Sequence, residues 1–167
     1  MTGLTERIGI EMGTTGDSAT GYSAVRNGGA GLIDLSSRGR LVVGGSEAVM
    51  FLNGLITNDM KTLAVNTWMP AAFASVQGRL LAAVRVIHRE DGFLIDTEDV
   101  THDTVLKILE RFTLAGDFRV MEVTNETVLL SIQGKSAEST MRAVFGDEST
   151  VERQKVLNGK LANGHEV

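Results

Sequence analysis

The chain has 167 residues, 43% of them hydrophobic and 22% charged, with a formal net charge of -5. That length suffices for one domain with its own core, and the acidic balance argues against a module that binds nucleic acid by itself. There is no cysteine, which excludes disulfides, thiolate metal sites and cysteine nucleophiles and fits a reducing compartment.

His88, His102 and His165 are far apart and match no ligand spacing, so no metal site is expected. No run approaches the ~20 apolar residues of a membrane helix. The N-terminus carries acids and glycines and lacks the apolar segment of a secretory signal. The cytoplasm is the expected location, with no membrane or direct nucleic-acid partner.

Residues 1–21 are rich in Gly, Thr and Ser and read as a flexible arm. Residues 22–26 begin the ordered part as a short helical turn. Residues 27–31 form a loop. Their glycines lack G-x-G-x-x-G spacing, and no Lys-Ser/Thr pair follows, so they read as a turn rather than a phosphate cradle.

Residues 31–59 are the most specific stretch. Leu32, Ile33 and Leu35 are expected to be buried, and residues 40–43 to form a short strand broken by Gly44 and Gly45. Ser46 is placed to cap a helix with Glu47 in its first turn. Ala48, Phe51, Leu52, Leu55 and Ile56 then recur at helical spacing.

Residues 67–76 and 79–88 are strands of a hairpin turning at Gln77–Gly78. A turn at 90–92 leads to a strand at 93–97. From Thr101 an amphipathic helix buries Val105, Leu106, Ile108, Leu109 and Phe112, with Gly116 as its stop. Residues 118–123 and 128–133 read as two strands joined by a turn at Thr124–Asn125. Ser136 opens a last helix with Ala137, Met141, Val144 and Phe145 inward, and the chain is polar beyond Gly146. The order strand-helix-strand-strand-helix-strand predicts an α+β fold: a split βαβ (ferredoxin-like) arrangement, with helices on one face of a mainly antiparallel sheet.

Asp34, Asp59, Asp96 and Asp99 are candidates for acid–base work, but nothing in the sequence pairs two of them, and acids at element ends also serve as caps. There is no G-x-S-x-G elbow. Trp68, the sole tryptophan, suits either the core or a ligand ring. Arg79, Arg85 and Arg89 on the hairpin are either a solvated strand face or contacts for an anionic ligand tail. On these residues alone the chain is a domain that acts by binding.

The letters of 31–59 go further. Gly31-Leu32-Ile33-Asp34-Leu35-Ser36, Gly39, Gly45-Ser46-Glu47-Ala48, Phe51-Leu52 and Leu55-Ile56-Thr57-Asn58-Asp59 resemble the N-terminal segment of the aminomethyltransferase family. That family comprises the folate-binding T-proteins of the glycine cleavage system and their YgfZ-type relatives. The similarity continues through Gln77-Gly78-Arg79, Asp96 and Ser131-Ile132-Gln133-Gly134 and covers residues 22–145.

T-proteins carry two aspartates after the hairpin turn, where this chain has Ala82 and Ala83. A methyl group accepts no proton, so no catalytic residue is assigned. Gly78 through Arg85 is closer to the YgfZ-like branch.

The resemblance implies the first half of the T-protein/YgfZ fold over residues 22–146, followed by a polar tail at 147–167 that ends before the family's second half. It implies tetrahydrofolate as the small-molecule ligand, iron–sulfur proteins as partners, and support of iron–sulfur cluster assembly and tRNA modification as the role. One wall of a folate cavity falls on Arg38, Val42, Ala83 and Arg85, with Asp96 as a polar contact. The alternatives are an aminomethyltransferase of the glycine cleavage system and an interaction module that has lost folate binding.

Overall fold

A computed structural model describes residues 18–145 and Val156. Of the expected arm over residues 1–21, residues 1–17 lie outside the described residues and residues 18–21 instead open a helix; the expected tail over 147–167, Val156 apart, also lies outside them. The elements are helix α1 (Ser18–Arg26), β1 (Gly31–Asp34), β2 (Gly39–Gly44), α2 (Ala48–Leu55), a 3-10 turn (Met60–Thr62), β3 (Thr67–Ala74), β4 (Leu80–Arg89), β5 (Gly92–Thr97), α3 (Asp99–Glu110), β6 (Arg119–Glu122), β7 (Leu130–Gln133) and α4 (Ala137–Phe145). They fall into two compact units.

The first unit joins residues 18–35 to 130–145. Its two-stranded sheet pairs β1 with β7 antiparallel, from Gly31 opposite Gln133 to Asp34 opposite Leu130. Strands β6 and β7, expected as two strands joined by a turn, lie in different sheets. Ile33 is a correction. It is 40% exposed, because alternation in so short a strand sends it to the opposite side from half-buried Leu32. Ser136 opens α4 by donating from Oγ to the Gly28 carbonyl (2.5 Å) and from its amide to the Gly29 carbonyl (3.2 Å). At Gly134, with φ +121°, a Cβ would lie 2.4 Å from the Gly29 oxygen, so the close approach requires glycine.

The second unit comprises Ser36–Leu129 with Val156. Its sheet has the order β3-β4-β5-β2-β6, and every neighbouring pair is antiparallel. Strands β4, β5, β2 and β6 with α2 and α3 make the expected split βαβ. Strand β3 is an addition at the edge, hairpinned to β4. One face of the sheet carries Leu41, Val43, Phe73, Ala82, Val84, Val86, Phe93 and Ile95. These form a single core with Ala48 and Leu52 of α2 and Val105 and Leu109 of α3. Burying such side chains contributes ~1.5–3 kcal/mol each.

Two ends differ from expectation. Helix α3 stops at Glu110, and Gly116 instead lies against the Glu47 carboxylate, where a Cβ would be 2.0 Å from Oε2. Ser46 does not cap α2. Its amide and hydroxyl both donate to Asp117 Oδ2 (2.8 and 2.9 Å), and the Asp117 amide donates back to Glu47 Oε2 (2.7 Å). A partner 71 residues away has displaced the local cap.

Asp117 is held down to about 2 from its ordinary 3.8, chiefly by the Ser46 N–H, then by Arg119 and the Ser46 hydroxyl. A carboxyl with a depressed folded-state pKa adds stability above its unfolded pKa, and that contribution is lost as pH falls through the folded value. The stability difference between wild type and Asp117→Asn should therefore be constant above about pH 4 and shrink as pH falls towards about 2. Urea unfolding of both proteins across that range measures it, and a flat difference would refute the clasp.

Candidate functional site

Side chains alternate along a strand, so the residues between the core positions share the other face of the five-stranded sheet, which α2 and α3 leave uncovered. The register orders that face in lines. Trp68, Ile87, Leu94, Val42 and Met121 lie opposite one another across all five strands. The neighbouring line, about 6.6 Å away along the strands, is Pro70, Arg85, Asp96 and Arg40, and Ala72 and Ala83 stand in the next. An apolar strip thus runs beside a charged one.

Within the charged line, Asp96 is 2% exposed and both its oxygens are taken. Arg38 donates from Nε to Oδ1 (2.7 Å) and from Nη2 to Oδ2 (3.1 Å). Arg85 reaches Oδ2 through Nε and Nη2, each at 2.5 Å. Arg38 Nη1 also pairs with Glu98. The bond to Asp96 raises the Arg38 pKa, desolvation opposes it, and Glu98 adds to the rise. Asp96 is therefore a buried anchor that orients two guanidinium groups. Arg38 is nearly covered, while the Arg85 side chain is 42% exposed and presents its remaining donor edge outward. The arrangement can hold an anion or a polar ring edge at Arg85, with an apolar body against the neighbouring strip.

The structure brings Arg38, Arg85 and Asp96 into direct contact. Val42 lies one line away among the apolar residues, and Ala83 lies two residues before Arg85, exposed, on the same face. Ala82 faces the opposite way, buried across from Phe73. Sequence reasoning missed Glu98, which reads locally as a helix cap but makes no cap hydrogen bond. It also missed Ile87 and Leu94, which strand parity counted from Arg85 and Asp96 would have found. Among the described residues, no group of three or more His, Asp or Glu side chains is placed to hold a metal ion, and no helix is long and apolar enough to cross a membrane.

Known proteins show the same relationship over most of the chain. The family model described as GCVT N-terminal domain matches residues 15–162. The aminomethyltransferase of Bacillus cytotoxicus is 29% identical over 145 residues, covering 86% of this chain and 39% of that protein. The tRNA-modifying protein YgfZ of Serratia proteamaculans is 23% identical over 134 residues, covering 80% and 40%. The chain thus spans about two-fifths of the length of these curated relatives. The crystal structure of glycine cleavage system aminomethyltransferase T from Bartonella henselae superposes with a TM-score of 0.61 at 23% identity, over 66% of this chain and 30% of that one. The two share a fold of antiparallel sheets and helices.

Removing the anchor should cost more than removing either arm. Asp96→Ala leaves two guanidinium groups without their carboxylate and is expected to lose about 2–3 kcal/mol, discounted from a fully buried pair because Arg85 is partly solvated. Arg85→Ala should lose less than about 1 kcal/mol. Chemical denaturation of the two variants tests the asymmetry, and equal losses would contradict it.

Proposed function

The chain belongs to the GCVT N-terminal domain family, within the aminomethyltransferase and YgfZ superfamily, and on that premise we propose that it binds tetrahydrofolate on the open face of its five-stranded sheet. The observation that carries the proposal is the Arg38–Asp96–Arg85 cluster beside the apolar strip. A reduced folate combines a flat ring system with a carboxylate tail. The strip from Trp68 to Met121 offers apolar area to the first and Arg85 a charge-assisted donor to the second. Asp96, with both oxygens engaged, acts by orienting the arginines rather than by touching the ligand.

The role is that of a YgfZ-like binding protein that supports iron–sulfur proteins and tRNA modification in the cytoplasm. A relative named as a tRNA-modifying protein supports it. So does the pair Ala82–Ala83: one methyl is buried, the other faces the site, and neither takes a proton. A second reading, aminomethyltransferase activity, is favoured by the relatives of that name at 29% identity and requires an acid from elsewhere than positions 82 and 83.

Calorimetric titration of tetrahydrofolate into the protein should show saturable binding. Arg85→Ala should weaken it about tenfold, the equivalent of one charge-assisted hydrogen bond. No heat with the wild-type chain would sink the proposal, while methylene transfer with glycine-cleavage partner proteins would promote the second reading. The two faces can be separated on the same strand. Ala83→Asp should leave stability within about 0.5 kcal/mol, and Ala82→Asp, which buries a carboxyl against Phe73, should lose more than about 2 kcal/mol.

A further inference from the structure

We propose that Asn27 is a site of spontaneous deamidation and isoaspartate formation. Among the described residues the chain has two Asn–Gly pairs, and the fold treats them oppositely. Asn27–Gly28 follows the last turn of α1, with the Asn27 amide donating to the Ser23 carbonyl (2.9 Å). Asn27 is exposed, and no hydrogen bond holds its carboxamide among the described residues. Gly28 has φ +97°, and a Cβ built there would meet nothing within 4 Å, so the turn is open on that side. Asn53–Gly54 lies within α2, half-buried, with Asn53 Oδ1 accepting the Met60 N–H at 2.8 Å.

The chemistry needs only water as co-reactant. The Gly28 backbone nitrogen attacks Asn27 Cγ, and the new N–C bond forms as the carboxamide nitrogen leaves as ammonia, carrying off the amide proton. Water then opens the five-membered imide at either carbonyl, leaving aspartate or, with an added backbone methylene, isoaspartate. No electrons are exchanged. In the second pair the helix must open and the Met60 contact must break before the ring can close.

The product bears on the fold. It places a negative charge just past the C-terminus of α1, where the helix dipole disfavours one. The isoaspartyl form lengthens the backbone immediately before Gly28, whose carbonyl accepts the Ser136 hydroxyl. A carboxyl methyltransferase that recognises isoaspartyl residues is the class of enzyme that would act on this product.

The test is to age the protein at mildly alkaline pH and physiological temperature and to map each Asn–Gly peptide by mass and isoaspartyl content. Two further pairs, Asn158–Gly159 and Asn163–Gly164, lie outside the described residues, so the readout must resolve each site. The expected result is conversion at Asn27 at least about tenfold faster than at Asn53, since even a small opening free energy of the helix gives that factor. Asn27→Gln should abolish the 27–28 signal while leaving the other sites unchanged. An intact Asn27 after ageing, or equal rates at Asn27 and Asn53, would overturn the inference.

Discussion

A buried guanidinium held by neutral acceptors is the constraint on which the second unit depends. Arg40 is 3% exposed. Its Nε donates to Thr127 Oγ1 (2.6 Å) and its Nη1 to the Arg38 carbonyl (2.8 Å), while Nη2 serves the Ser36, Thr124 and Thr127 carbonyls. Every one of these acceptors is neutral. Buried carbonyls left without donors are costly, and here one side chain from the start of β2 serves four of them from two segments far apart in sequence. The same residue holds the backbone of Arg38, whose side chain grips Asp96, which in turn orients Arg85. The cluster on the open face is thus the outer end of a network rooted in the loops at either end of the unit.

That network holds the charged line in one arrangement. A lone arginine on a strand samples many rotamers, and binding must then oppose that entropy. Arg85 has already surrendered it to a buried carboxylate. The added strand β3 has a comparable part. Without it β4 would be the sheet edge and Arg85 would stand at the rim. With it, Trp68 and Pro70 extend the face by one strand, and β3 is in turn covered by residues after α2, with the Thr57 amide donating to the Ala72 carbonyl (2.9 Å) and the Asn58 side chain to the Pro70 carbonyl (3.0 Å).

The parts legible in the sequence are those governed by local rules. Hydrophobic periodicity located α2 and α3, and the Gln77–Gly78 turn located the β3–β4 hairpin. What stayed hidden was decided by contacts across long separations. Ser46 looked like a cap because its neighbours are helical, yet Asp117 captured it. Strands β6 and β7 were legible as two strands joined by a turn but their partners were not: Arg40 engages Thr124 and Thr127 of that turn, and β7 pairs with β1. Arg38, Arg85 and Asp96 were chosen by resemblance. Their direct contact depends on the register of β2, β4 and β5, which no local pattern encodes.

Register also gives the methyl group of Ala83 a physical meaning. Ala83 and Arg85 project from the same face of β4, about 6.6 Å apart along the strand. A carboxylate at 83 would attract the Arg85 guanidinium, and what it gained would be drawn from the Asp96 pair, leaving net stability little changed. It would compete with Asp96 for the one arm of the cluster that remains partly solvated. With a methyl group there, no such competitor draws Arg85 from the buried anchor, and its free edge keeps a single direction. Ala83 and the oriented arginine therefore act together: a methyl group at 83 leaves Asp96 as the carboxylate that Arg85 meets on this face.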